Sequence, residues 1–203
     1  MKQPRSAPEA TASAADASPE EFLSALASIR QVKDYRGCSL EEVPAPRTIA
    51  PYTAALRAFT EADDGYHPLA TGRFVILFDP QTQPGWNGTM RLVTHVRSQM
   101  DAELGDDPLL GEVVWAWAHD ALDNAGANLH DMNGTVTREL SETFGGLQLR
   151  RSGLEIELRA SWTPATFDLA PHVAAWLELI ARCAGTIGCD DLDSMRVLPV
   201  TYV

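Results

Sequence analysis

Arg91, His95 and Arg97 fall within one alternating stretch, Thr89–Arg97. On a strand, every second side chain points to the same face, so these three would stand together with Val93 while Met90, Leu92, Thr94 and Val96 point the other way. The run Leu154–Trp162 has the same pattern, with Glu155, Glu157, Arg159 and Ser161 opposite Leu154, Ile156, Leu158, Ala160 and Trp162. Thr135, Thr137 and Glu139 continue it in GTVTRELSETF, at Gly134–Phe144. Guanidinium groups in a row can do one of two things. They can pair with neighbouring carboxylates across strands, each pair contributing roughly 0.2–1 kcal/mol. They can also form an anion- or peptide-binding face, with Arg91, Arg97 and Arg159 as contacts and His95 among them. The spacing leaves both open, and no partner nucleophile accompanies His95.

Other chemistry-bearing patterns are sparse. Gly145-Gly146 is followed by no Gly-Lys-Ser/Thr, no GxGxxG follows a strand-like run, and there is no GxSxG elbow. No cofactor is therefore expected. His119 and Asp123 are an i, i+4 pair on a helix-like run, with His130-Asp131 beyond it. Such a pair could share a metal. Alone it is a weak signal, and its Asp sits where a helix dipole disfavours negative charge, so no metal site is assigned. Cys183 lies among apolar residues and reads as a small core side chain. One stretch, DPQTQPGWNGT at Asp79–Thr89, separates two apolar runs. Its Asp-Pro and Asn-Gly pairs are turn chemistry, which makes it a proline-stiffened loop. Trp86 is its one large apolar group; it either caps the edge of the core or meets a partner.

Composition narrows the function. The chain has 203 residues and a formal net charge of −12. That charge disfavours direct nucleic-acid binding, which draws its affinity from clustered Lys and Arg, and disfavours anionic membrane surfaces. Gln99–Asp131 holds eight acidic residues and no Lys or Arg, either a solvated helix face or a docking surface for a basic partner. Three cysteines, Cys38, Cys183 and Cys189, form neither a disulfide framework nor a CxxC pattern. No stretch near the start has a signal-peptide core, and none anywhere is apolar enough to span a membrane. The expected compartment is cytoplasmic and reducing. The Asn-Gly-Thr triplets at Asn87 and Asn133 then carry no meaning as glycan acceptors.

The elements that would position these residues follow from periodicity. Residues 1–17 are rich in Ala, Ser and Pro and read as a disordered tail; 18–203 read as one α+β domain. Ser18 as N-cap, Pro19 and Glu21 open a helix through Phe22, Leu23, Leu26, Ile29 and Val32. Ser39–Val43 is a short strand candidate, and Ala50–Phe59 has helical spacing through Tyr52, Ala55, Leu56 and Phe59. Arg73–Phe78 reads as a strand covered on both faces. Asp107-Pro108 starts a helix ended by Gly126, and Asp168 starts another ended by Gly185. Leu198–Val203 adds a short extended candidate. The expected order is helix, helix, ββα, ββα. The fold class is α+β, with a largely antiparallel sheet of four to five strands and helices on one face. WNGTMRLV at Trp86–Val93 and MNGTVTREL at Met132–Leu140 reflect either shared turn chemistry or an internal duplication.

Several motifs together carry a family resemblance. They are GRFVILFDP at Gly72–Pro80, WNGTMRLV, DPLLGEVVWAW at Asp107–Trp117, GTVTRELSETFG at Gly134–Gly145 and LRASWTP at Leu158–Pro164, with PAPRTIAPY at Pro44–Tyr52 leading them. In this order the chain resembles an actinobacterial domain-of-unknown-function family, number three-thousand in its series, over about Ser39 to Gly185. The resemblance implies no activity and no catalytic residue. The sequence therefore points to a non-catalytic binding, adaptor or chaperone-like protein that self-associates or binds a protein partner. Its candidate contacts are Trp86, Arg91, His95, Arg97 and Arg159. The alternative is an enzyme or RNA- or nucleotide-processing accessory protein. In that reading Arg91, His95, Arg138 and Arg159 gather phosphate, and Asp79 or Asp107 assists.

Overall fold

The computed structural model describes residues 19–30, 32, 37–60, 67–142, 144 and 153–186. Helix α1 (Glu20–Ile29) is followed by four strands: β1 (Cys38–Val43), β2 (Tyr52–Thr60), β3 (Ala70–Phe78) and β4 (Met90–Met100). A short 3-10 turn (Ala102–Asp106) leads into α2 (Leu110–Asn124), then β5 (Leu129–Leu140), β6 (Leu154–Pro164) and α3 (Ala170–Cys183). The strands form one six-stranded sheet in the order β1-β2-β3-β4-β6-β5, every neighbour antiparallel. The class is α+β as expected, with six strands in place of four or five.

The correction lies in Ala50–Phe59. Its apolar residues recur at helical spacing, yet Tyr52–Thr60 is a strand paired on both sides. Tyr52, Ala54, Leu56, Ala58 and Thr60 alternate toward the helices, and the small side chains at 54 and 58 leave room for α3 above them. Pairing with two neighbours outweighs the helical preference of three alanines. The second expected helix is thus replaced by the β1–β2 hairpin. The repeated Asn-Gly-Thr phrase also loses any duplication reading: Asn87 precedes β4, whereas Asn133 lies inside β5, at the other position of its strand pair. The Ser18 cap, the 1–17 tail, the Gly145-Gly146 and Arg151-Ser152 turn residues and the Leu198–Val203 strand lie outside the described residues.

The core sits between the sheet and the helices. Phe74, Ile76, Phe78, Leu92, Val96, Ile156, Leu158 and Trp162 point to one face and are buried there. Trp176 and Ile180 of α3 press on β3 at Gly72, where an added Cβ would stand 2.5 Å from Ile180 Cδ1 and 2.8 Å from the Trp176 ring. Phe22 of α1 meets Tyr52 and Phe78, with ring centroids 6.0 and 5.9 Å apart. Ser28 of α1 accepts the Leu169 amide at 2.9 Å and so caps α3. The glycine stops read from the sequence are present: Gly126 and Gly185 both have φ of +69°, the left-handed C′ conformation that lacks a Cβ penalty. Helices α1, α2 and α3 all pack on the same face. No helix among the described residues is long and apolar enough to cross a membrane.

Candidate functional site

The opposite face of the sheet carries no helix among the described residues, and the alternation of β4 and β6 puts Arg91, His95, Arg97 and Arg159 there. Register then fixes their neighbours. Arg73 lies opposite His95, His95 opposite Arg159, Arg97 opposite Glu157, and Gln99 opposite Glu155. Arg57 on β2 stands opposite Arg73, and Glu41 on β1 opposite Arg57. The result is one row across the sheet, Glu41–Arg57–Arg73–His95–Arg159–Thr135. One pleat repeat along the strands, Val75 faces Val93 and both are half-buried.

Cross-strand pairing accounts for much of the charge. Glu157 receives hydrogen bonds from His95 and, at 2.7 Å, from Arg159. Burial opposes its ionisation, but these two donors outweigh burial and hold its carboxyl below the usual carboxylate range. Arg97 is bonded to Glu155, which raises its pKa further, and Gln99 Nε2 donates to the same carboxylate at 3.1 Å. Arg57 pairs with Glu41 at 3.2 Å and lies over the Phe59 ring, 5.3 Å from its centroid. Arg73 differs. Its guanidinium donates to the Pro44 carbonyl at 2.6 Å, and no carboxylate of the described residues is within ion-pair distance.

Arg91 is on the expected face but is not a free contact. It is 6% exposed and donates to Thr163 Oγ1 at 3.1 Å and to Ser161 Oγ at 2.8 Å. Burial lowers its pKa, with Asp131 acting in the opposite direction. Arg91 thus links β4 to β6, and Thr163 in turn donates to the Trp86 carbonyl, tying the 79–89 loop to β6. Trp86 is half-buried, and its ring stands outside the cluster of core side chains. The loop is further pinned by Asn87 Nδ2 donating to Asp131 at 2.8 Å and by Gln83 Nε2 donating to the Ile49 carbonyl at 3.0 Å. That second bond joins it to the 44–51 connection, whose Pro46 carbonyl accepts from Thr53 at 2.8 Å. Together the two loops wall one end of the face.

The sequence placed Arg91, His95 and Arg97 on one strand face and Arg159 on another, and the pairing of β4 with β6 makes these one face; the sequence reading missed Arg57 and Arg73. Arg57 was hidden by the helical reading of β2, and Arg73 by reading β3 as covered on both sides. The alternation of Arg73, Val75 and Leu77 against Phe74, Ile76 and Phe78 is the signal that would have placed Arg73. The enzyme reading needed Asp79 beside His95 and Arg159. Asp79 instead accepts from the Gln81 amide at 2.9 Å and Gln83 Nε2 at 3.1 Å, within its own loop. Arg138 donates to the Asp107 carbonyl at the α2–β5 side of the sheet, away from the row. His119 packs edge-on to Trp115, 5.1 Å between centroids. Burial pushes the Cys38 thiol up to about 11 and the Cys183 thiol up to about 12, which keeps both in the unreactive protonated form.

These features define an α+β protein whose antiparallel sheet is backed by helices on one side and carries a polar, arginine-rich open face on the other. The chain belongs to the family described as "Protein of unknown function (DUF3000)", whose model matches residues 18–189. No curated protein and no solved structure matches it.

Proposed function

We propose that this is a non-catalytic binding protein, an adaptor or chaperone-like module of the cytoplasm, and that the open sheet face holds its protein partner. One observation carries the reading: α1, α2 and α3, the helices of the described residues, pack on one side of the sheet, and the other side exposes Arg57, Arg73, Arg97 and Arg159 beside half-buried Val75 and Val93. A mixed aliphatic and arginine surface is what protein-binding patches favour. The local hydrogen bonds of Asp79, within its own loop, and of Arg138, to the Asp107 carbonyl, count against the phosphate-gathering alternative. The buried, free thiols of Cys38 and Cys183 fit a reducing compartment.

A photo-crosslinking amino acid tests this directly. Placed at Val75 or Val93 it should give discrete protein adducts in cells of the native host, and at the exposed Ala116 of α2 it should give none. Adducts only from the helix side, or none from either, would overturn the assignment of the open face.

A further inference from the structure

Sheets normally place opposite charges across from one another, because like charges directly opposite destabilise the pairing. The row on the open face breaks this rule where Arg57 meets Arg73, and it sets His95 between Arg73 and Arg159. Arg57 faces Arg73, Arg73 faces His95 and His95 faces Arg159. Among the described residues, two carboxylates are bonded to the groups of a row that holds three arginines. Glu41 serves Arg57, and Glu157 is shared between His95 and Arg159. Arg73, at the centre, bonds the Pro44 carbonyl and has no carboxylate within ion-pair distance among the described residues. A row that costs stability in the free protein, within a chain of net charge −12, is the kind of local inconsistency that marks a binding site.

Resting on the binding reading above, we propose that this row is the docking site for an extended, acidic segment of a partner protein, with carboxylates on Arg73 and Arg159. The geometry also sets its pattern. The Val75–Val93 pair lies one pleat repeat from Arg73 and His95, about 7 Å along the strands. An extended peptide running along β3 and β4 repeats its own side chains at the same interval. A carboxylate over the basic row therefore brings the side chain two positions along over the valines, where an aliphatic group is favoured. Arginine suits the role because its planar fork can accept a carboxylate in two parallel hydrogen bonds. A nucleic acid offers phosphate in place of carboxylate, but the valine pair one pleat repeat away gives its backbone no partner.

The probe is a short synthetic peptide in which glutamate and valine stand two positions apart, separated by serine. Fluorescence anisotropy on the full chain should show saturable binding, weakened about tenfold or more in Arg73→Gln and again in Arg73→Gln/Arg159→Gln. The glutamine-for-glutamate peptide should bind no better than the double variant, and Arg73→Glu should accept a lysine–valine peptide in its place. Thermal unfolding of each variant establishes that it is folded. Equal binding of the glutamate and glutamine peptides, or tighter binding of a single-stranded oligonucleotide, would overturn the acidic-peptide assignment. So would a failure of the glutamate peptide to bind. If open-face crosslinks persist in those cases, the face still holds a partner of other chemistry; if they are absent too, the binding reading falls with it.

Discussion

At the residue scale, Trp86 and His172 show how differently two half-polar aromatic groups can be used. Trp86 is held through its backbone, whose carbonyl takes the Thr163 hydroxyl and whose amide donates to Gln83 at 3.1 Å. Its ring lies outside the core cluster, so little packing is lost on truncation. Trp86→Ala should change stability in urea by less than about 1 kcal/mol, and should weaken crosslinking or partner binding if the ring greets a partner. His172 is the opposite case. It is 1% exposed, and its Nδ1 accepts the Trp162 indole N–H at 3.1 Å, which keeps the ring neutral. Burial lowers its pKa to about 4, with Asp168 acting weakly the other way. The unfolded chain then binds the proton more readily than the folded one. Full stability is present above pH 6.5 and is lost as pH falls toward 4, by about 3 kcal/mol from this group. Urea titrations at several pH values should show that slope, and His172→Gln should flatten it. From sequence the shared face of Arg91, His95 and Arg97 was legible, because alternation along one strand specifies it; that Arg159 joins them was not, because it depends on the pairing of β4 with β6. The burial of Arg91 was not, because it depends on Ser161 and Thr163 across the strand pair.

At the element scale the strongly periodic segments were legible and β2 was not. β4, β6, α2 and α3 each carry a wide apolar stripe at their own period, and each forms where expected. The stretch Tyr52–Thr60 has three alanines, which satisfy either period, so only its pairing with β1 and β3 decides. Those alanines and Gly72 serve one purpose: they let α3 lie close on the sheet. Gly72 makes the point testable. Its φ is ordinary, so strain arises from contact and not from the backbone; a Cβ there meets Ile180 and Trp176 at 2.5–2.9 Å. Gly72→Val should cost roughly 1–3 kcal/mol in chemical denaturation by overpacking. A companion Ile180→Ala should recover part of that loss, because it removes the nearer obstacle; additive losses would show that α3 is not held by this contact.

At the scale of the whole molecule, charge is distributed against its total. The chain sums to −12, yet Arg57, Arg73, Arg97 and Arg159 stand exposed on the open face while the acidic run 99–131 lies in the connection to α2, α2 itself and the start of β5. An acidic segment approaching from far away meets the net repulsion; only within a few ångströms does it feel the row. Salt acts on the two ranges unequally. At 0.01 M ionic strength repulsion reaches about 30 Å, and at 0.1 M about 10 Å, whereas a contact pair on a half-buried face is screened much less. Raising salt between those values should therefore leave the association rate of the glutamate–valine peptide flat or increase it, while the dissociation rate rises. Stopped-flow anisotropy separates the two. A steep fall in association rate with salt would mean that an attractive long-range field guides the peptide, and would place its landing point somewhere other than this row.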